Sequence, residues 1–366
     1  MGVLAGTSVA VDDPLALHSV KVLRSGQAPS GAFIASPTFP VYRYAWLRDG
    51  AFCASALDVV GRREEAAAFH QWVIRSIEEH RSMIESAIEL VGSGQTPPPE
   101  AMPPARYTLD GALERGEVGA WPNFQVDGYG TWLWSYAEHV GGDRLTEEAA
   151  AAVRLVARYL QASWRLKCFN CWEEFDGGEH ASTRAAVVAG LVAAASLLDD
   201  AEFAAEADRV RTDLFEGFVV DGRFARARGD ARLDGSLLWL AIPFRVLSPD
   251  EPRIVATVEA VRRELTGPEG GVYRYRGDTY YGGGEWLLLT SSLAWHDALA
   301  GKRDGWSGAQ AWVRAQALPS CDLPEQVSGF AQQREMIEPW LRRWGPIATP
   351  LLWSHAMYLI AESAAC

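Results

Sequence analysis

The sequence is poor in cysteine and in methionine, with five of each among 366 residues. So low and odd a cysteine count excludes a disulfide-stapled secreted scaffold and fits a reducing cytoplasm. Cys168-Phe169-Asn170-Cys171 has CxxC spacing, but no second pair completes a zinc site, and it is read as structural. The chain lacks an excess of positive charge. Thirty-four Lys and Arg against 47 Asp and Glu leave it at −13, which argues against nucleic-acid or anionic-membrane partners. No run of about 18 apolar residues marks a membrane span. Met1 to Ala16 shows neither a basic region nor a long apolar one, so no signal peptide is expected. Convincing strand patterns are few, apart from pieces such as Gly222 to Ala227 and Gly271 to Tyr275.

Tryptophan is abundant: 15 residues, more than either Tyr (11) or Phe (13). Indoles offer flat apolar faces with one N–H donor, and sugar rings present apolar C–H faces. Core packing must still account for many of them. Apolar helices are expected to begin near Asp49, Asp127, Ser182, Asp234, Gly284 and Pro350, with more charged helices between most of them. The spacing of roughly 50–80 residues is a coarse internal period. A helix apolar all round belongs inside, and an amphipathic one shields it from water. The expected fold is therefore an all-α (α/α)₆ barrel, six inner and six outer helices, forming one domain over residues 1–366, with 1–28 as an N-terminal helix and lead-in. Asp49 is expected to cap the first inner helix, residues 63–92 to form one amphipathic helix, and Leu237 to Phe244 a short apolar one. The Pro-rich stretch from Gly94 to Pro104 is read as a loop covering a site.

The special loops all precede inner helices, and in such a barrel they gather at one end. They carry Arg48-Asp49, Trp121, Cys171-Trp172-Glu173-Glu174-Phe175, Arg274 and Glu325. Trp172-Glu173-Glu174 fits two readings. It is an ordinary helix start with acids favoured by the macrodipole, or a carboxyl pair in apolar surroundings with a raised pKa, suited to proton donation.

Together these loops resemble glycoside hydrolase family 15, the glucoamylases, glucodextranases and their bacterial relatives, from about Ser30 onward. Tyr42-x-Tyr44-x-Trp46-x-Arg48-Asp49 resembles the family's first motif. The resemblance implies that Arg48 and Asp49 grip hydroxyls of the terminal glucose, with Tyr42 beside the catalytic centre and Trp46 in the binding site. Trp121 resembles the substrate-stacking tryptophan. Trp172-Glu173-Glu174 resembles the general-acid motif, with Glu173 as acid and Glu174 in support. Arg274 is similar to the sugar-binding arginine, and Trp286 to the aromatic beyond it. Leu323-Pro324-Glu325-Gln326 resembles the segment of the general base, Glu325, and Trp353-Ser354-His355-Ala356 the C-terminal signature. Asn170 departs from the family, which often has Asp there. The implied activity is inverting, exo-acting hydrolysis of short α-glucosides, with α-1,6 substrates of the isomaltose type favoured over α-1,4 or trehalose-type ones and no metal or organic cofactor required. The alternative is a catalytically silent sugar-binding barrel. Glu285, after three glycines, is a rival base, though such an acid is more often a cap or subsite residue. His180 and His355 are expected to be structural.

Overall fold

A computed structural model describes residues 13–114, 124–175 and 177–365. Thirteen α-helices succeed one another in them: α1 (Pro14–Ser25), α2 (Leu47–Val59), α3 (Arg63–Glu79), α4 (Arg81–Gly92), α5 (Asp127–Val140), α6 (Glu147–Ser163), α7 (Ala181–Leu198), α8 (Ala201–Phe218), α9 (Pro252–Leu265), α10 (Leu287–Leu299), α11 (Arg303–Ala315), α12 (Ile337–Trp344) and α13 (Leu352–Ser363). A 3-10 helix, Gly235–Leu240, lies between α8 and α9. Helices α2, α5 and α7, the 3-10 helix, α10 and α13 each pack on the next, and α13 returns to α2, so the inner ring closes. Around it α3, α6, α8, α9 and α11 pack against inner elements, and α1 covers α13. This is an (α/α)₆ barrel.

The two helix types follow from composition. Helix α7, ASTRAAVVAGLVAAASLL, is apolar on almost every side, and most of it is buried. By length and composition it could cross a membrane, but here it is an inner stave. Small residues let the staves approach closely. A Cβ added at Gly130 of α5 would lie 2.3 Å from the Ala186 carbonyl oxygen of α7, and one at Gly190 2.7 Å from Gly130 Cα. Alanine at either position would push two inner helices apart. The outer helices α6 and α9 instead bury one face and carry their charges on the other.

Three expectations are corrected. Helix α2 starts at Leu47, not at Asp49; Trp46 occupies the cap position without a side-chain hydrogen bond, and Asp49 lies in the first turn. Residues 63–92 form two helices broken at His80, whose ψ of 18° is outside the helical range. The expected helix Leu237 to Phe244 is the 3-10 helix Gly235–Leu240. Pro243 has no N–H to extend it and disfavours helical geometry at Ile242.

Among the described residues, seven short strands lie in the connections. β1 (Ala45–Trp46) pairs with β2 (Arg106–Tyr107), and β3 (Val219–Val220) with β4 (Arg223–Phe224). β5 (Val272–Tyr273), β6 (Glu285–Trp286) and β7 (Gln326–Val327) form one antiparallel sheet. Trp286 sits between Val272 and Gln326 in its ladder, which sets Arg274, Trp286 and Glu325 side by side.

Candidate active site

The N-terminal ends of the inner staves surround a cavity of about 470 Å³, a volume usual for small-molecule sites. Tyr42, Trp46, Arg48, Asp49, Trp172, Glu173, Glu174, Arg274, Trp286 and Glu325 all line it, from five separate stretches of chain. Trp121 falls outside the described residues.

Glu173 sits in a tight loop. Its φ is +63° and that of Phe175 +54°, left-handed values that non-glycine residues adopt only when their surroundings hold them. Asn170 does the holding: its side-chain oxygen accepts the backbone N–H of Trp172 (3.2 Å) and of Glu174 (2.9 Å), and its carbonyl accepts that of Glu173 (2.9 Å). The departure at this position thus supplies a neutral scaffold for the loop. Glu173 Oε1 accepts Trp46 Nε1–H (2.5 Å) and an amide N–H of Gln125 (2.9 Å). Burial raises the carboxyl pKa, against a lowering pull from Arg48 and from the Trp46 and Gln125 hydrogen bonds.

Glu325 is 3% exposed. Its Oε1 accepts the Tyr42 hydroxyl proton at 2.9 Å, and its Oε2 has no hydrogen-bond partner. Burial lifts this carboxyl to about 7, opposed by the Tyr42 hydrogen bond and by Arg274. The two carboxyls thus have unlike settings: N–H donors on Glu173, phenols on Glu325.

Two arginines flank them. Arg48 donates to Gln125 (2.8 Å) and to Asp127 (3.0 Å), and lies 5.3 Å over the Trp353 ring. Its Nε and Asp49 Oδ2 are 3.5 Å apart, and neither has a hydrogen-bond partner. Burial lifts Asp49 to about 7 against the pull of Arg48. Arg274 forms a fork on Asp278 (2.7 and 2.6 Å) and reaches Glu174 at 3.1 Å. Its guanidinium lies 4.9 Å over Trp286 and 5.5 Å over Trp172. Glu174 also accepts the Tyr275 hydroxyl (2.5 Å), so it holds the arginine in place. Trp172 donates its indole N–H to Asp234 (3.0 Å).

Glu285 takes part in strand β6, not in a helix start, and does not line the cavity. His180 donates its Nε2–H to the Cys168 carbonyl (3.1 Å), and His355 bonds the Ser19 hydroxyl and accepts the Leu323 N–H; both serve the framework. Gly94 to Pro104 does not reach the cavity. The chain beyond it instead brings in Arg106, fully buried, which lies 4.3 Å over Tyr44 and 5.1 Å over Trp46 and is neutralised by Glu114. Sequence reasoning passed over Gln125, Tyr280 and α12. Gln125 lies two residues before Asp127, and Tyr280 six residues after Arg274. Helix α12 brings Trp340, Arg343 and Trp344 to the cavity.

Comparison with known proteins agrees with this geometry. The sequence model described as "Glycosyl hydrolases family 15" matches residues 14–311. The isomaltose glucohydrolase of Kribbella flavida is 39% identical over 354 residues, covering 94% of this chain and 91% of that protein. A glutamate-to-alanine variant of a glycosidase in complex with glucose superposes with a TM-score of 0.91 at 38% identity, covering 96% of each chain. A bacterial glucoamylase complexed with acarbose shares the fold, with a TM-score of 0.74 at 20% identity over 96% of this chain and 55% of that one. A helical barrel whose inner-helix loops bring two unlike glutamates, two anchored arginines and a tryptophan wall to one cavity, with a family match over most of its length, is a glycoside hydrolase, and the chain belongs to glycosyl hydrolase family 15.

Proposed function

We propose that the protein is an exo-acting, inverting α-glucosidase that releases β-glucose from the non-reducing ends of short α-1,6-linked oligosaccharides of the isomaltose type. The observation that carries the reading is the pairing of Glu173 and Glu325 from distant segments in one cavity, each with a carboxyl raised by burial and each with different partners. The similarity to an isomaltose glucohydrolase over nearly the whole of both chains supports the linkage.

In this mechanism protonated Glu173 gives its proton to the glycosidic oxygen as the bond to the anomeric carbon breaks. Ionised Glu325 takes a proton from a water that attacks that carbon from the opposite face. Tyr42 occupies Oε1, which leaves Oε2 to the water. Inversion of this kind requires carboxyls roughly 6.5–9.5 Å apart. Adjacent Glu173 and Glu174 diverge along one backbone, and Glu174 is committed to Arg274 and Tyr275. The Arg48–Asp49 pair, with Nε and Oδ2 lacking other partners, is suited to hold neighbouring hydroxyls of the terminal glucose. Arg274 and Trp286 form a second wall for that ring. The indoles Trp340 and Trp344 of α12 are the wall for the leaving sugar. Among the described residues the cysteines are all free, which fits a reducing cytoplasm supplied with soluble sugars.

The test is glucose release from isomaltose, maltose, trehalose and longer members of the first two series, with the first product followed by NMR. Expected are release from the α-1,6 series and initial β-glucose. Initial α-glucose would overturn the roles assigned to the two glutamates, and preference for maltose or trehalose would overturn the linkage.

A further inference from the structure

The cavity lies at the N-terminal ends of the inner staves. At the other end of the barrel, Asp58 near the end of α2, His139 near the end of α5 and His70 within α3 come together. Asp58 is nine residues along α2 from Asp49, about 14 Å at 1.5 Å per residue. This cluster is thus remote from the catalytic carboxyls. Asp58, His70 and His139 each offer a donor atom, and the three atoms lie within 4.8 Å of one another.

The pairwise bonding leaves one group unexplained. His139 Nδ1 is 2.9 and 3.0 Å from the two oxygens of Asp58. Arg63 donates to the His139 carbonyl (2.7 Å), not to the carboxylate. His70 is 1% exposed, yet both of its ring nitrogens lack a hydrogen-bond partner. Its ring is 4.8 Å from that of His139, 5.2 Å from Tyr136 and 5.5 Å from Phe69. A buried imidazole with both nitrogens unsatisfied carries the full desolvation cost of those groups. A hydrocarbon ring would fill the same space without that cost. His70 is unexplained as packing, but fits as a ligand.

We propose that Asp58, His70 and His139 form a three-ligand site for a divalent cation of the zinc class, which ties α2, α3 and α5 together. Two imidazole nitrogens and one carboxylate oxygen favour zinc, cobalt or nickel over magnesium or calcium, which take oxygen ligands. Metal–ligand bonds of about 2.0–2.2 Å place tetrahedral ligands roughly 3.4 Å apart. To bind one ion, the 2.9 Å Asp58–His139 contact would open slightly and the His70 nitrogen would move closer to the other two donors. Asp58 then leaves His139 for the metal, its charge offsets half that of the ion, and His70 gains a partner. The side chains of Asp58 and His139, 10% and 13% exposed, leave a way in for the ion and for a water in the fourth position. The expectation that no metal is needed concerned the reaction, and this site does not serve it. Its ligands are 12 and 69 residues apart in sequence, a spacing that resembles no metal motif.

The test uses the whole chain freed of metal by a chelator and titrated with Co²⁺ and with Zn²⁺. Calorimetry and metal analysis give stoichiometry, and Co²⁺ absorption in the visible reports four-coordinate geometry. One ion per chain is expected, with a Tm rise of about 3 °C at a hundredfold excess over Kd. His70→Gln and His139→Gln, checked for native far-ultraviolet circular dichroism, should each weaken binding roughly a hundredfold. Failure of folded wild type to bind either ion at about 100 μM would overturn the site, since a three-ligand centre binds well below that. So would binding that survives both substitutions, which would point to a thiol pair such as Cys168 and Cys171 instead.

Discussion

The hydroxyl of Tyr42 donates to Oε1 of Glu325 at 2.9 Å and lies 3.1 Å from the hydroxyl of Tyr280. A carboxylate that accepts a hydrogen bond is favoured over its acid, so Tyr42 lowers the Glu325 pKa that burial raises. As a base Glu325 must be ionised. The acidic limb of kcat/KM should therefore fall near pH 7, activity rising as the pH increases through it. Tyr42→Phe should move that limb to higher pH and lower kcat about tenfold, the equivalent of one lost hydrogen bond near 1.4 kcal/mol. A pH–rate profile of both proteins checks it, and an unmoved limb would detach Tyr42 from the base.

The same burial bears on stability. The Glu325 carboxyl stands at about 7 in the folded chain against an ordinary value of 4.5. The folded state therefore binds the proton more tightly, and stability is lost as pH rises from 4.5 to 7. Above 7 the deficit is about 3 kcal/mol, an order-of-magnitude figure. Glu325→Gln, which stays neutral, should show no gain in Tm at pH 4 and a rising gain up to pH 7, level beyond it, while abolishing hydrolysis. Melting curves across that range measure the effect.

Glu173→Gln should lower kcat on isomaltose by about 10²–10⁴, the usual contribution of general-acid catalysis. An α-glucosyl fluoride, whose leaving group needs little protonation, should suffer much less. Comparable losses on both substrates would mean that Glu173 acts by shape or charge instead of by proton donation.

Arg274→Lys tests the fork on Asp278. A lysine keeps the charge but cannot bind a carboxylate through two parallel N–H groups. KM should rise about tenfold or more, with the larger share of the loss in KM, if the arginine holds the sugar in both ground and transition states. Steady-state kinetics separate the two parameters.

Trp344→Ala should raise KM for disaccharides and alter the preference between isomaltose and maltose, with little change for a glucosyl fluoride that has no second sugar. Equal effects on all three would remove α12 from the leaving-group side.

The alternation of apolar and charged helices was readable because each stave is coded by its own stretch of residues. Asp127, Ser182, Asp234 and Pro350 all fall within two residues of an observed inner-element start. The cavity-lining residues were readable because they cluster in short motifs. What escaped was set by contacts between stretches. Asp49 has the chemistry of a cap, but pairing of β1 with β2 starts the helix two residues earlier. Helix α12 was legible, with Ile337, Trp340, Leu341 and Trp344 at helical spacing, but it is only eight residues long and buries none of them fully. Gln125 matters only because Arg48 and Glu173, 77 and 48 residues away, both reach it.

Helix α1 closes the barrel against α13. Tyr358 bonds Asp13 across 345 residues, Ser19 bonds His355, and His18 bonds Asp322. The wall of the active site beside Trp353 is thus buttressed by α1, and the ring has no covalent seam at that point. The barrel is accordingly a candidate for circular permutation: a linker joining the end of α13 to the start of α1, with new termini in an exposed outer turn such as that around Gly141, should return an enzyme with the same active site in a different reading order.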